Sequence, residues 1–335
     1  MFNLELDNVI QEIRRRNVKR LLIQIPYGLR SQAFQIADHI RNETHSETIV
    51  SANPCYGACD IAIEEASEFD ADLILHFGHA PLPELDSSRI LFVEAGAVVD
   101  IAPVISLAIK RIEEERRIGL VTTVQHIQGL KKAKQMLEDA GKTIVIPRKG
   151  DRATYDGQIL GCDFESARGI ADHVDVFLVI AGGDFHGVGV QIATGKRTLV
   201  CDPFSNEIRD MTDLSRRFLR KRYAAIEAFR KARKIGILIV TKSGQFNLQR
   251  AEQVRDILEE KGCKCLSLSI TEMRPILLDS FSDVEAFVNT GCPRISLDDQ
   301  ETFRKPVLTV DETMIAVGIT QWNQYVKEDP VQKGT

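Results

Sequence analysis

The order of secondary-structure signals recurs three times along the 335-residue chain and constrains the fold more than any other feature. Each time, a basic residue begins an apolar run rich in β-branched residues, and a turn and a helical stretch follow it. The three runs are Arg20–Pro26, Arg117–Thr123 and Lys234–Thr241. Strands that alternate with helices and are apolar along most of their length are typical of parallel sheets buried on both faces.

The repetition predicts an α/β fold of three similar small domains with parallel sheets flanked by helices, arranged around a pseudo-threefold axis. The predicted domains are residues 1–115, 116–231 and 232–335. Three further strands are predicted in each: Thr48–Asn53, Ala71–Gly78 and Arg89–Gly96; Thr143–Arg148, Val174–Gly183 and Arg197–Asp202; Cys265–Ile270, Val284–Gly291 and Pro306–Glu312. One large doubly wound sheet with coincidental spacing is the alternative fold.

Two charged helices are predicted to join the domains, at Ser106–Arg116 and Asn206–Lys234. The second contains the basic run Arg216–Arg222. Such a run usually forms a solvated helix face, and contact with the acidic surface of a partner is the alternative.

The composition narrows the class of protein. A net charge of −5 lacks the strong basicity of nucleic-acid-binding proteins, so no direct nucleic-acid binding is expected. Met1–Asn8 does not resemble a signal peptide, and no segment reaches the ~18 uncharged apolar residues of a membrane span. A cytoplasmic protein is therefore expected. Because thiols stay reduced there, the seven cysteines favour metal binding or catalysis over disulfides.

Each predicted domain has a cysteine near the carboxyl ends of its strands, where parallel α/β sheets bind ligands. Cys55 and Cys59 follow the second strand of the first predicted domain. Cys162 lies in the long loop after the second strand of the second domain, and Cys292 follows the third strand of the third domain. Cys201 also ends a strand. The spacing therefore predicts that one cysteine per domain meets at a common centre.

Three such thiolates suit a [4Fe–4S] cluster with one open iron, or a three-coordinate zinc with a bound water. The paired C-x2-C spacing of structural zinc sites is absent. The alternative is that the thiols are buried and inert. A structural role is expected for Cys263 and Cys265, which lie before a strand, at the opposite end of the sheet.

Three segments around these cysteines resemble the cysteine motifs of the diphthamide synthesis proteins. They are Tyr56–Asp60, Gly157–Cys162 and Asn289–Ser296 with Asp298-Asp299. Similar family segments are Gly78-His79, Gly183–His186, Asp202–Ser205 and Thr241–Gln245. The resemblance covers nearly the whole chain in order. This chain has Cys59-Asp60 where some relatives have a doubled cysteine.

The resemblance implies three related domains, each of which gives one thiolate to a [4Fe–4S] cluster: Cys59, Cys162 and Cys292. Cys55 and Cys201 are not ligands in that pattern. It also implies cleavage of S-adenosylmethionine (SAM) between sulfur and the methionine γ-carbon. The 3-amino-3-carboxypropyl group then passes to C2 of a histidine of translation elongation factor 2, the first step of diphthamide biosynthesis. An external electron donor and a homodimer are implied as well.

The chemistry of the acceptor agrees with this implication. Imidazole C2 is a poor nucleophile, and the sequence offers no dedicated base to activate it. A reduced cluster would instead give one electron to the sulfonium, so that the cofactor performs the difficult step while the protein positions the reactants.

Candidate SAM contacts follow other strands. Ser243, Gly244 and Gln245 would open a helix whose backbone N–H groups hold the carboxylate, with a plain helix cap at Ser243 and a tight turn at Gly244 as the alternative. Asp184 and His186 would bind the amino group or the incoming imidazole, or form a structural pair. His79 would face the cleft or bond a neighbouring carbonyl.

Two other functions remain open. An enzyme similar to quinolinate synthase would use the open iron as a Lewis acid for dehydration and would not cleave SAM. A non-enzymatic, three-lobed binding module would have inert thiols and would be colourless after anaerobic purification.

Overall fold

The structure is a computed structural model that describes residues 1–83, 85, 87–298 and 300–326. Asp299 of the third cysteine motif and residues 327–335 of the third predicted domain lie outside the described residues.

The first sheet has four parallel strands in the order β3-β2-β4-β5. The elements of this part of the chain are β1 (Phe2–Asn3), α1 (Leu6–Arg15), β2 (Arg20–Gln24), a 3₁₀ helix (Tyr27–Gln32), α2 (Ala33–Thr44), β3 (Glu47–Val50), α3 (Ile63–Glu68), β4 (Leu73–Phe77), β5 (Ile90–Val93) and β6 (Gly96–Ala97). β1 and β6 form a separate antiparallel pair. Both central strands are buried along almost their whole length, as expected for a sheet with helices on its faces.

The second sheet has the strand order β11-β10-β9-β7-β8, in which β7 is parallel to both of its neighbours. Its elements are α4 (Ala102–Arg111), β7 (Arg117–Thr122), a 3₁₀ helix (Val124–Gly129), α5 (Leu130–Asp139), β8 (Thr143–Val145), α6 (Glu165–Ile170), a 3₁₀ helix (Ala171–His173), β9 (Val176–Ile180), α7 (Phe185–Thr194), β10 (Thr198–Asp202) and β11 (Glu207–Asp210).

The third sheet has four parallel strands in the order β13-β12-β14-β15. Its elements are α8 (Thr212–Phe229), β12 (Lys234–Val240), α9 (Leu248–Glu260), β13 (Lys264–Ile270), α10 (Pro275–Asp279), β14 (Ala286–Asn289), α11 (Pro293–Asp298), a 3₁₀ helix (Gln300–Thr302), β15 (Val307–Thr309), α12 (Val310–Ala316) and α13 (Trp322–Tyr325).

All three sheets place their strands in the sequence order second, first, third, fourth. The prediction of an α/β fold with parallel sheets flanked by helices is thereby confirmed. The alternative of one large sheet is wrong for the part of the chain that the structure describes. In this strand order, the crevice between the first and third strands is the expected ligand site.

One hydrogen-bond arrangement recurs in all three sheets. An acidic residue just before the third strand accepts from two backbone N–H groups at the start of the first strand; these residues are Asp72, Asp175 and Glu285. The contacts join the same two strands each time, which supports an origin of the sheets by repetition.

By its internal contacts the chain forms two compact units. The first comprises Met1–His186 with Leu199–Arg209, and the second comprises Gly187–Thr198 with the chain from Asp210 onward. The first unit therefore contains the first sheet and most of the second, and the second unit contains the third sheet. The domain boundaries at residues 115 and 231 remain a prediction.

Several predicted elements need correction. The predicted strand Pro306–Glu312 ends at Thr309, where a capping box of Thr309 and Glu312 begins α12. The helix predicted at Ser106–Arg116 is α4, which begins and ends earlier. The helix predicted at Asn206–Lys234 is divided into β11 and α8.

Within the described residues, every helix is too short or too polar to span a lipid bilayer.

Candidate metal centre

Cys59 lies in a loop that is fixed to the end of β2. The buried Gln24 ends that strand, and its Nε2 donates to the Asp60 carbonyl at 2.6 Å. The loop also closes on itself, because the Asp60 N–H donates to the Gly57 carbonyl and the Tyr56 N–H to the Asp60 carboxylate. Cys59 is thus held near the crevice between β2 and β4 while its side chain stays partly exposed.

Cys162 lies in the long loop after β8, which returns to the carboxyl end of β7. Thr122 exchanges backbone hydrogen bonds with Gly157 and Ile159 at 2.8 and 2.9 Å. The buried Gln158 fixes the approach, because its Oε1 accepts from the N–H groups of Thr154 and Tyr155. The loop therefore presents Cys162 at the end of the sheet where ligands bind.

Cys59 and Cys162, which lie in the same compact unit, act on each other electrostatically. Desolvation by surrounding protein raises the pKa of the Cys162 thiol above its usual value, although the residue keeps solvent access, and the charge of Cys59 raises it further. The Arg152 guanidinium opposes this, since its Nη1 lies 3.6 Å from the Cys162 sulfur. Two thiols that resist joint ionisation are suited to a cation, which removes the repulsion on binding.

Cys292 occupies a tightly bonded turn between β14 and α11 in the second unit. The side chain of the buried Asn289 donates to the Cys292 carbonyl at 2.7 Å and to the Ser296 hydroxyl at 2.9 Å. At Gly291 an added Cβ would lie 2.4 Å from a methyl of Val240, so only glycine fits beside β12. The backbone that carries Cys292 therefore has little freedom.

A buried ion pair contacts the helix that follows this turn. Arg222 of α8 donates to both carboxylate oxygens of Glu312, at 2.7 and 2.6 Å, and to the carbonyls of Ser296 and Val307. The side chains of Arg222 and Glu312 are 2% and 0% exposed. The basic run Arg216–Arg222 is therefore not wholly a solvated face, because its last residue is buried.

The other cysteines differ in environment. Cys201 is fully buried in the core of the second sheet, and burial raises its pKa to about 12. Cys263 and Cys265 flank the start of β13 and pack against the third core, and burial raises the pKa of Cys265 to about 11. These surroundings fit inert thiols.

The predicted SAM contacts on the third sheet lie in a turn rather than in a helix. The N–H groups of Gln245 and Phe246 both donate to the Lys242 carbonyl. Helix α9 begins only at Leu248, and the side chain of Asn247 caps it. The expectation that Ser243, Gly244 and Gln245 open the helix is therefore wrong. Of the alternative, the helix cap at Ser243 is wrong, and the tight turn at Gly244 is confirmed.

The predicted SAM contacts that lie in the first compact unit already have protein partners. Asp184 forms an ion pair with Arg209, which also contacts Asp202. His186 packs edge-to-face against Phe185. His79 is hydrogen-bonded through Nδ1 to Nε2 of His76 at 2.9 Å, a partner that differs from the carbonyl of the second alternative.

Sequence reasoning missed Gln24, His76, Arg152 and Arg222. His76 lies inside β4, and Gln24 ends the apolar run of β2. The one sequence signal that identifies Gln24 and His76 is a polar residue within an apolar strand, because a polar side chain in a strand buried on both faces needs a buried partner. Arg152 and Arg222 carry no comparable signal.

The model of the family described as diphthamide synthesis proteins matches residues 25–327. The chain belongs to this family. The predicted resemblance to this family is thereby confirmed.

Known relatives extend the match over nearly the whole chain. The 2-(3-amino-3-carboxypropyl)histidine synthase of Pyrococcus horikoshii is 34% identical over 93% of this chain and 90% of its own length. Subunit 1 of the Schizosaccharomyces pombe enzyme of that name is 29% identical over 98% of this chain and 76% of its own. The crystal structure of Dph2 from P. horikoshii with a 4Fe-4S cluster superposes with a TM-score of 0.88 at 33% identity, covering 96% of this chain and 93% of that one.

Proposed function

We propose that this chain is a 2-(3-amino-3-carboxypropyl)histidine synthase that carries out the first step of diphthamide biosynthesis. The prediction that the chain is an enzyme is confirmed, because relatives of that name match it over nearly the whole chain. The observation that carries the proposal is the match of residues 25–327 to the family model, together with a synthase that is 34% identical over 93% of this chain. The loops that carry Cys59 and Cys162 are both fixed to the carboxyl ends of parallel strands, where such sheets bind ligands. Of the three functions that the sequence left open, family membership supports this one.

The proposed cofactor is a [4Fe–4S] cluster held by Cys59, Cys162 and Cys292. The donor set fits, because three thiolates leave one iron without a protein ligand. The presence of a 4Fe-4S cluster in the related P. horikoshii structure supports the assignment. A pseudo-threefold arrangement of the three sheets would bring Cys292 to the other two thiols, and it is part of this proposal.

The proposed reaction is balanced without a net change of electrons. The bond between the SAM sulfur and the methionine γ-carbon breaks, a bond from that carbon to imidazole C2 forms, and methylthioadenosine and the C2 proton leave. A [4Fe–4S] cluster at this site would supply the single electron for reductive cleavage of the sulfonium. Because the overall reaction consumes no electron, the external donor would be needed only to prime the site.

The residues of the chain hold and tune this site. Arg152 donates an N–H group to the Cys162 sulfur, and such a bond favours the more reduced, more negative form of an iron–sulfur site. Asn289 and the Arg222–Glu312 pair fix the Cys292 turn.

The proposed SAM contacts are the backbone of Ser243, Gly244 and Gln245 for the carboxylate, and Asp184, His186 and His79 for the amino group or the imidazole. Asp184 and His79 have protein partners, and the Gln245 N–H donates to the Lys242 carbonyl, so these contacts would have to be exchanged when SAM binds.

The proposed protein substrate is translation elongation factor 2, since diphthamide is a modified histidine of that protein. The proposed enzyme is a cytoplasmic homodimer. It works by radical chemistry and receives its electron from an external donor.

The test is an anaerobic assay of the reconstituted full chain with SAM, a chemical reductant and elongation factor 2. The expected result is release of methylthioadenosine with the gain of one 3-amino-3-carboxypropyl group on one histidine by mass spectrometry. Cys292→Ser should abolish both products, whereas the matched variant Cys263→Ser should retain them. Loss of neither product in Cys292→Ser, or reduction of SAM without any transfer, would contradict the proposal.

A further inference from the structure

Three potential metal ligands outside the predicted cluster set lie together in the first unit. Cys55, His76 and His79 place one donor atom each within 4.8 Å of the others. The Cys55 sulfur lies 4.0 Å from His76 Nε2, which lies 2.9 Å from His79 Nδ1. Cys55 and His76 are 3% and 0% exposed, so the group is enclosed by protein.

The tautomer of His76 follows from its neighbours. Gln24 donates through Nε2 to the Asp60 carbonyl and accepts at Oε1 from the Ala62 N–H, so its amide orientation is fixed. His76 Nδ1 lies 2.8 Å from that oxygen and must carry the proton. Nε2 therefore holds a lone pair directed at Cys55 and His79.

This is the arrangement of a histidine ligand that an outer partner orients for a metal. With Nδ1 donating to Gln24 and Nε2 holding a lone pair, the imidazole of His76 is in its neutral form. The neutral form is the one that ligates.

The distances match a small tetrahedral ion. Zinc bonds of about 2.0–2.1 Å to nitrogen and about 2.3 Å to sulfur require ligand separations of about 3.3 Å between nitrogens and about 3.6 Å between nitrogen and sulfur. The observed separations of 2.9 and 4.0 Å lie on either side of these values. Side-chain adjustments of a few tenths of an ångström would bring these two pairs to the required separations, and the third pair, Cys55 and His79, lies within 4.8 Å.

We propose that Cys55, His76 and His79 form a second metal site that takes a borderline divalent cation such as Zn²⁺. One thiolate and two imidazoles select such an ion over Mg²⁺ or Ca²⁺. On binding, the Cys55 thiol releases its proton, and His79 moves its proton from Nδ1 to Nε2. In this assignment His79 ligates the metal and is not a SAM contact. The site connects β4 to the loop that carries Cys59 four residues later, so its role is to fix that loop.

The test uses the full chain with Cys59→Ser, Cys162→Ser and Cys292→Ser combined, so that the proposed cluster ligands are absent. After removal of metals without oxygen, the protein is titrated with Co²⁺. The expected result is one bound equivalent with thiolate-to-cobalt charge-transfer absorption and tetrahedral d–d bands, which Zn²⁺ displaces. Adding Gln24→Leu should weaken binding about 10–100-fold.

Matched variants decide the assignment. Adding Cys55→Ser should remove the charge-transfer band, and adding His79→Gln should weaken binding at least about 10-fold, whereas adding Cys263→Ser should change nothing. Zn²⁺ should raise the melting temperature of the parent but not that of the chain with Cys55→Ser. No cobalt absorption in the folded parent, or a band that persists with Cys55→Ser, would overturn the site and leave the proposed function untouched.

Discussion

At the scale of single residues, the Arg222–Glu312 pair is an ion pair that is almost completely buried in the second compact unit. We predict that Arg222→Met lowers the free energy of unfolding by about 3–5 kcal/mol, because it leaves the Glu312 carboxylate buried without its counter-ion. The adjacent Lys221 pairs with Glu301 at the surface, so Lys221→Met should cost at most about 1 kcal/mol. Chemical denaturation measures both.

A double variant tests the cause of this loss. Arg222→Met with Glu312→Gln removes the uncompensated charge but keeps an oxygen for the Thr309 N–H group. It should therefore be more stable than Arg222→Met alone. Equal stabilities would show that lost packing, rather than the buried charge, accounts for the effect.

Gly291 makes a second prediction at this scale. Gly291→Ala places a Cβ against Val240 and should destabilise the fold by about 1–3 kcal/mol while displacing the Cys292 turn. Gly169→Ala is the matched control, since nothing lies within 4 Å of its added Cβ. Thermal unfolding and the iron content of the reconstituted chain measure both effects. A variant that matches the control in both measurements would refute the tight fit.

Sequence alone predicted the candidate ligands better than their supports. The apolar runs place five cysteines near strand ends, namely Cys55, Cys59, Cys162, Cys201 and Cys292, and only the resemblance to the family selects Cys59, Cys162 and Cys292 among them. The partners of Arg222 lie 74 to 90 residues away along the chain, so its burial depends on tertiary packing that no local pattern records.

At the scale of elements, the recurring contact between the first and third strands has a pH dependence. Backbone and Arg117 hydrogen bonds lower the pKa of Asp175 from its usual 3.8 to about 2, with the Arg117 side chain as the largest cause. A lowered pKa means that the unfolded chain binds the proton more tightly. The stabilisation is therefore complete above pH 3.8 and is lost as the pH falls towards about 2.

Asp175→Asn should remove this part of the acid dependence. Urea denaturation at a series of pH values would show a shallower loss of stability between pH 3.8 and about 2 than in the unaltered chain. Asp172→Asn, at an exposed neighbouring position, should leave the slope unchanged. An unchanged slope in Asp175→Asn would contradict the assignment.

The errors in the predicted elements have local causes. The apolar residues Val307–Val310 read as a strand that continues to Glu312, yet Thr309 and Glu312 have the spacing of a capping box, which the sequence already contained. The apolar runs that begin the three predicted domains are longer than the strands they form. Their last residues, Pro26, Thr123 and Thr241, lie in the turns that follow the strands.

At the scale of the whole molecule, the central claim is that cysteines from three repeated sheets share one iron–sulfur cluster. The triplicated strand order, the recurring acidic contact and family membership all support it. Sequence periodicity predicts the strands within each repeat but not how cysteines from different repeats come together, because that depends on tertiary packing between the repeats.

The most direct test is iron and sulfide analysis with electron paramagnetic resonance of the anaerobically purified chain and its single variants. The account predicts a brown protein with a [4Fe–4S] signal on reduction, which Cys59→Ala, Cys162→Ala and Cys292→Ala each lose or markedly diminish. Cys201→Ala and Cys263→Ala should retain it. A cluster that survives all three of the first variants and disappears in either of the last two would contradict the account.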